Sequence, residues 1–240
     1  MDESLSHILD YGVDEMVGGD RDHLWHHIKP HKCYQSQEQM IIVAGKGLTV
    51  TDIRGREYLD ATSGGVWCVN VGYGRDSIAD AVAAQMKKMP YFAGSVGTIP
   101  SIKLSSKLIE LLPTMGKVYY SNSGSEANEK SYKIIRQATT IDPARKGKYK
   151  ILYRDRDYHG TTIAVLASSG QAERKKAFGP FPEGFVQIPH CLCYRCPFDK
   201  SYPNCDIQCA SVVEEIILKE GPERVGGLIV EPITAGGGII

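Results

Sequence analysis

The pattern of apolar and polar positions divides the chain into a short strand-rich region and a longer region of alternating strands and helices. Met40–Ala44, Leu48–Asp52 and Glu57–Asp60 are short β-rich runs, separated by glycine-containing turns at 45–47 and 54–56. Short strands joined by tight turns predict a three-stranded antiparallel meander.

From Asp76 onward the apolar positions recur with helical spacing. Asp76 caps one predicted helix, and Pro100 opens a second that ends before Pro113. Predicted strands at 117–121, 150–153, 185–188 and 225–230 then alternate with predicted helices at 126–138, 161–168 and 208–219. This alternation predicts an α/β domain with a largely parallel sheet.

Composition and charge restrict the class of protein. Of the 240 residues, 42% are hydrophobic and 23% are charged, which is typical of globular proteins and excludes wholesale disorder. The formal net charge of zero argues against nucleic-acid binding, which needs a basic excess or patch. Residues 1–16 lack the features of a secretory signal, and no apolar run approaches the ~20 residues of a membrane span. We expect a cytoplasmic protein with no nucleic-acid or membrane partner.

Five of the seven cysteines lie within residues 191–209. Without a secretory signal we expect free thiols rather than disulfides. The segment has enough sulfur ligands for zinc or an iron–sulfur centre, and the spacing Cys193-x2-Cys196 is typical of metal sites. The later intervals, to Cys205 and Cys209, fit neither kind of site closely. We therefore expect no metal, and a non-catalytic, cysteine-bound metal module is the alternative.

The strongest chemical signal is the segment 121–129, where a β run leads through a turn of small residues directly into a helix. Free N–H groups at the start of a helix, with the helix dipole and the hydroxyls of Ser123 and Ser125, suit a phosphate dianion. The alternative is that one of these serines only caps the helix. No Walker A pattern occurs, so a nucleoside triphosphate is not expected.

A second signal, Tyr158-His159-Gly160, follows the next predicted strand. Loops at the carboxyl ends of parallel strands line the ligand crevice, so this loop and the serine turn are expected to face one site. A tyrosine and an imidazole there can stack on a flat ring. The alternative is a packing tyrosine beside a hydrogen-bonded histidine.

Four segments, in this order, resemble the motifs of class III pyridoxal-phosphate aminotransferases: Asp52–Gly65, Ser121–Glu129, Tyr158–Gly160 and Ile229–Pro232. The resemblance spans nearly the whole chain. It implies an α/β fold of type I, in which residues 1–65 form an N-terminal segment and the small-domain meander. Residues 66–240 then form part of the large coenzyme-binding domain, with a mostly parallel sheet. The resemblance also implies a homodimer or tetramer.

Residues 22–27 and 193–197 look most like the ω-amino-acid–pyruvate branch of this family. The resemblance implies pyridoxal 5′-phosphate as the cofactor. It also implies transfer of an amino group from an ω-amino acid, with taurine favoured, to pyruvate, which gives sulfoacetaldehyde and alanine. Another ω-amino acid, such as β-alanine, or a diamine is the alternative donor.

The resemblance further implies residue roles. Ser123, Gly124 and Ser125 would hold the cofactor phosphate through main-chain N–H and hydroxyl groups. Tyr158 would stack on the pyridine ring. Trp67 would line the pocket for the amine substrate.

Three more residues receive roles from the resemblance, and one essential residue is not found. His159 and Gly160 would shape the loop beside the ring, and Glu231 would lie near the ring. In the family, the Schiff-base lysine and the acid on the pyridine nitrogen follow the Glu-Pro strand, and no lysine here has the matching context. We therefore assign no catalytic residue. We expect the N-terminal portion of an active aminotransferase, which is inactive by itself because the Schiff-base lysine is not in this chain. The alternative is a fragment that has no catalytic function.

Overall fold

The computed structural model describes residues 11–240, apart from the side chain of Gln35. The chain forms two compact units that divide between Thr98 and Ile99. This division is not the predicted boundary after residue 65, which separates the small-domain segment from the large domain of the whole protein. That boundary stays a prediction. None of the described helices combines the length and the apolar character needed to cross a lipid bilayer.

The first unit contains the predicted meander. Its strands are β1 (Ile42–Lys46), β2 (Thr49–Asp52) and β3 (Glu57–Leu59), which pair antiparallel in that order. Helix α1 (Val13–His23) and a 3-10 turn (His31–Gln35) precede the meander, and helix α2 (Asp76–Lys88) follows it. The antiparallel meander and the helix are therefore confirmed, but Asp76 is the first helical residue, and the N-cap is Arg75, which makes no capping side-chain hydrogen bond.

The N-terminal segment departs from the sequence expectations. The hydrophobic pattern gave no element before residue 40, yet residues 13–23 form α1, none of whose residues is buried. His26 Nε2 lies 2.8 Å from Asp20 Oδ1, so this histidine has a carboxylate partner. The pair forms because Asp20 lies in the last turn of α1, after which the backbone brings His26, six positions further on, back into contact with it.

The second unit is an α/β unit with a parallel sheet. Its strands are β4 (Lys150–Arg154), β5 (Phe185–Ile188) and β6 (Val225–Ile229), and both outer strands pair parallel to the central β4. Its helices are α3 (Ile99–Leu111), α4 (Gly124–Ile141), α5 (Ile163–Ala167), α6 (Ala172–Lys175) and α7 (Gln208–Glu220). The predicted α/β class with a parallel sheet is confirmed.

The core of the second unit lies between α4, α5 and the sheet. Tyr132 of α4, Ile151 of β4 and Val165 of α5 form a buried apolar cluster. A Cβ at Gly226 of β6 would lie 2.6 Å from Ile135 Cγ2, so glycine is required there for α4 to pack closely on the strand. This packing fixes α4 against the sheet.

The predicted strand at 117–121 is wrong within the described residues, because this segment pairs with no other strand. A strand exists only through its ladder of hydrogen bonds. Both sides of β4 are taken by β5 and β6. Tyr120 instead contacts helix α3, since its hydroxyl donates to the Ser101 carbonyl at 3.0 Å and lies 2.8 Å from Ser105 Oγ.

Candidate functional site

The serine turn forms the N-terminus of α4. Ser123 is the N-cap residue, with an extended backbone, and its Oγ accepts a hydrogen bond from the Glu126 N–H at 3.1 Å. The Glu126 carboxylate accepts in turn from the Asn122 N–H at 2.9 Å. The first bond caps the helix and the second ties the residue before the N-cap to its first turn, so the capping role considered for Ser123 is present.

The first turn of α4 also presents groups that can bind an anion. The N–H groups of Gly124 and Ser125 lie where an α-helix has no intrahelical acceptor. A Cβ placed at Gly124 would meet no atom within 4 Å, so the space beside this turn is open. The 18-residue helix places the positive end of its dipole there.

The serine turn and the Tyr158–Gly160 loop are in direct contact. Ser125 Oγ accepts a hydrogen bond from the Thr161 N–H at 3.1 Å, and Asn128 Nδ2 donates to the His159 carbonyl at 2.7 Å. Gly160 has a φ of 146°, which disfavours other residues, and a Cβ there would lie 2.4 Å from Ser125 Oγ. The loop can lie against the helix only because residue 160 has no side chain.

His159 is buried and electrically neutral. Its backbone N–H donates to Ser169 Oγ at 3.1 Å. Its ring Nε2 is buried and has no hydrogen-bond partner among the described residues. Burial lowers the pKa of His159 below its ordinary value of 6.5, and the nearby carboxylates of Asp157 and Glu231 only partly oppose this effect. The imidazole is therefore uncharged at neutral pH.

Tyr158 and Glu231 are joined directly. The Tyr158 N–H donates to Glu231 Oε2 at 2.7 Å. The guanidinium of Arg174 lies 5.1 Å from the centre of the Tyr158 ring, within the range of a cation–π contact. Tyr158 nevertheless keeps 37% of its surface exposed. An aromatic surface is thus presented beside a carboxylate that is held in place.

Sequence reasoning missed the residues that hold this arrangement together. The Asp157 carboxylate is fully buried and accepts hydrogen bonds from Arg154 Nε, the Glu231 N–H and Thr234 Oγ1, at 3.1, 2.8 and 2.8 Å. The available signal was a run of charges at 154–157 directly after an apolar strand. Alternating charges of this kind commonly mark a solvated loop, which hid their role.

Trp67 belongs to the first unit. It ends a tight turn, Ser63–Trp67, in which Gly64 and Gly65 have φ values of 82° and 85°, and it is 55% exposed. Asp60 organises this turn by accepting hydrogen bonds from Thr62, Gly64 and Tyr73. The Thr62 hydroxyl, together with the other donors, holds the pKa of Asp60 well below its usual range.

The other predicted site residues all lie in the second unit. The contacts of Ser125 with Gly160 and of Tyr158 with Glu231 link the serine turn, the loop after β4 and the end of β6. These three segments bring together Ser123, Gly124, Ser125, Tyr158, His159, Gly160 and Glu231.

All seven cysteines are free thiols. Among residues 11–240, no three His, Cys, Asp or Glu side chains are grouped so that they could hold a metal ion. The Cys191 Sγ instead accepts a hydrogen bond from Arg154 Nη1 at 3.1 Å.

The N-terminus of α4 and the segments that follow β4 and β6 of the parallel sheet thus form the candidate site. The family profile described as aminotransferase class III matches residues 33–240, and the chain belongs to this family. An aminotransferase of Bacillus anthracis superposes on all of this chain with a TM-score of 0.87 and 37% identity, over 51% of its own length.

Among individual proteins, the chain is similar to enzymes named for taurine. It is 55% identical to the hypotaurine/taurine–pyruvate aminotransferase of Paracoccus denitrificans, over 95% of this chain and 49% of that protein. It is 53% identical to the taurine–pyruvate aminotransferase of Rhodobacter capsulatus, over 94% of this chain and 48% of that protein. The chain therefore spans about half the length of the curated relatives that it matches.

Proposed function

We propose that this chain belongs to an aminotransferase that uses pyridoxal 5′-phosphate to transfer the amino group of taurine to pyruvate. The observation that carries this proposal is the contact between the first turn of α4 and the Tyr158 loop. This contact joins the start of the helix, whose first N–H groups have no intrahelical acceptor, to the loop that carries the partly exposed Tyr158 ring, and it supports a common binding site. The names of the Paracoccus and Rhodobacter relatives support taurine and pyruvate as the substrates.

The residues at the start of α4 fit the phosphate of this cofactor. The open space at Gly124 leaves room for a phosphate group, and the N–H groups of Gly124 and Ser125 are available to donate to it. The hydroxyls of Ser123 and Ser125 accept hydrogen bonds within the protein, so each still has its own proton to donate.

The residues of the Tyr158 loop fit the cofactor ring. Tyr158 has exposed aromatic surface on which a flat ring can stack, and Glu231 is held next to it by the Tyr158 N–H. His159 and Gly160 set the path of the loop, the first as a buried neutral imidazole and the second as the only residue that fits against Ser125. Trp67 remains our proposal for the amine-substrate pocket.

When bound, pyridoxal phosphate supplies the electron sink that allows an amino group to be removed from one substrate and added to another. The residues of this chain would bind the phosphate, fix the plane of the ring and keep Glu231 oriented. In the balanced reaction, taurine and pyruvate give sulfoacetaldehyde and alanine. The catalytic lysine is not assigned to any residue of this chain.

Donor specificity decides between the proposal and its alternative. The full-length enzyme, loaded with pyridoxal phosphate, is incubated with pyruvate and with taurine, β-alanine or a diamine, and alanine formation is measured. We expect the highest kcat/KM with taurine, together with formation of sulfoacetaldehyde. Faster turnover of a diamine or of β-alanine would replace taurine as the donor, and no alanine with any amine would contradict the proposed class of reaction.

We also propose a cytoplasmic homodimer or tetramer. The free state of all seven cysteines supports a reducing compartment. The oligomeric state rests on the family resemblance. Light scattering of the full-length enzyme measures it directly, and a monomer would contradict the proposal.

A further inference from the structure

We propose that Asp157 is a positioning residue of the cofactor site, because its buried carboxylate fixes Tyr158 and Glu231 relative to one another. The proposal rests on the proposed function, since it concerns how the chain presents its ring-binding groups. Asp157 is fully buried and contacts neither solvent nor an open cleft. It can therefore act only through its neighbours.

The contacts around Asp157 form a closed ring of covalent and hydrogen bonds. Asp157 Oδ2 accepts from the Glu231 N–H at 2.8 Å, and the Glu231 carboxylate accepts from the Tyr158 N–H at 2.7 Å. Tyr158 follows Asp157 directly in the chain. Glu231 is therefore bonded to two adjacent residues, through its backbone N–H to Asp157 and through its carboxylate to Tyr158. The backbone at Tyr158 and the Glu231 carboxylate cannot shift without breaking at least one of these bonds, and the backbone at Tyr158 determines where its ring starts.

The ion pair of Arg154 and Asp157 anchors this cycle of hydrogen bonds at the carboxyl ends of β4 and β6. Arg154 Nε and Nη2 lie 3.1 and 3.0 Å from Asp157 Oδ1, and Nη2 also donates to the Glu231 carbonyl. Thr234 Oγ1 donates to the same Asp157 oxygen at 2.8 Å. Buried charges need such partners, and loss of one charge leaves the other uncompensated. The negative charge on Asp157 is therefore needed to hold Tyr158 and Glu231 in this arrangement.

This geometry predicts an effect on the cofactor rather than on stability alone. If Asp157 orients the Tyr158 ring, its substitution should weaken pyridoxal phosphate binding through Tyr158. In a protein that already lacks the Tyr158 ring, the same substitution should then reduce the affinity for pyridoxal phosphate much less. A purely structural role would produce losses that are independent of Tyr158.

The test is a double-mutant cycle in the full-length enzyme, with Asp157→Asn, Tyr158→Ala and the pair. The dissociation constant of pyridoxal phosphate is measured by titration of the apoenzyme, and circular dichroism of the cofactor band reports the ring environment. We expect Asp157→Asn to weaken binding about tenfold and to change the dichroism, but to cost only about twofold when Tyr158 is already alanine.

The matched control is Asp155→Asn in the same loop. Within residues 11–240 its Oδ1 accepts only from Gln187 Nε2, at 3.0 Å, and an asparagine oxygen can accept the same bond. We expect its affinity for pyridoxal phosphate to match that of the unaltered enzyme. An equal loss in Asp155→Asn and Asp157→Asn would overturn the proposal.

A second pair of variants covers the case in which Asp157→Asn does not fold. Thr234→Val removes the hydroxyl that bonds Asp157 without changing the size of the side chain, whereas Thr234→Ser keeps it. We expect Thr234→Val to weaken cofactor binding about threefold and Thr234→Ser to restore it. Identical affinities for Thr234→Val and Thr234→Ser would contradict the positioning role.

The outcomes separate this inference from the proposed function. If the unaltered enzyme binds no pyridoxal phosphate, the proposed function and the positioning role both fall. If it binds the cofactor and the losses from Asp157→Asn and Tyr158→Ala simply add, only the positioning role is overturned.

Discussion

The Ser125 hydroxyl holds part of the fold together at a position that we propose the cofactor phosphate also uses. It accepts the Thr161 N–H and occupies the space beside Gly160, where a side chain would otherwise lie. Its position in the first turn of α4 also brings it to the positive end of the helix dipole. For a change at this residue, cofactor affinity and folding stability therefore have to be measured side by side.

We expect Ser125→Glu in the full-length enzyme to weaken pyridoxal phosphate binding at least about tenfold, because a new negative charge would occupy the place of the phosphate. The control is Ser131→Glu, which adds the same charge to an exposed position further along α4. Titration of the apoenzymes and thermal unfolding are measured for both variants. Unchanged cofactor affinity in Ser125→Glu would exclude a phosphate role for this turn.

Tyr158 is expected to act through its ring. Tyr158→Ala should weaken cofactor binding about tenfold and shift the absorption band of the bound cofactor, because stacking requires an aromatic face. Tyr158→Phe keeps that face and should change the affinity by about twofold or less. Large and equal losses in the two variants would show that the hydroxyl matters and that stacking does not explain the role.

At the scale of elements, the meander is held by one buried carboxylate. Burial raises the pKa of Asp52. The Arg56 N–H, the Tyr58 hydroxyl, the Arg56 guanidinium and the Arg54 N–H all bond the carboxylate, and together they outweigh that effect and lower the pKa to about 2. The end of β2, the following turn and the start of β3 thus depend on an ionised Asp52.

This carboxylate predicts an acid-sensitive stability. A folded-state pKa of about 2, below the ordinary 3.8, means that the stabilisation is complete above pH 4. It is lost as the pH falls towards 2. Asp52→Asn should lower the unfolding temperature at pH 7. The difference in unfolding temperature between this variant and the unaltered enzyme should become smaller as the pH falls from about 4 to 2. A difference that stays constant from pH 7 to pH 2 would contradict the assignment.

The elements with strong local patterns could be predicted from the sequence, and those that depend on distant partners could not. The run at 185–188 was predicted with the bounds of β5, since an apolar run between turns is a local signal. The run at 117–121 has a similar local pattern, but no strand pairs with it among the described residues. Strand pairing is decided by tertiary contacts, which local periodicity does not contain.

The candidate site shows the same division. The residues with distinctive chemistry, such as the serines of the turn and Tyr158, could be found from motifs. Asp157 was missed because its importance comes from partners at 231 and 234, more than 70 positions away in sequence. When the partners of a charged residue are so distant in sequence, the sequence alone cannot distinguish it from a charged residue at the surface.

At the scale of the whole molecule, the 240 residues cover about half of the related enzymes. We expect the 240-residue chain, produced alone and supplied with pyridoxal phosphate, taurine and pyruvate, to form no alanine. The reason is that none of its lysines has the sequence context of the cofactor-binding lysine in this family. The same assay on the full-length enzyme is the control. Robust turnover by the short chain would mean that one of its own lysines serves the cofactor.

The order of the parallel strands has a consequence for synthesis on the ribosome. The central strand β4 is made first, and both of its partners are made later, the nearer one starting about thirty residues downstream. At roughly 5–20 residues per second, the apolar side chains of Ile151 and Leu152 wait for seconds before β5 emerges, and longer before β6. During translation these two side chains, which are buried in the folded unit, remain without their sheet neighbours, so this stretch is a candidate site for chaperone binding.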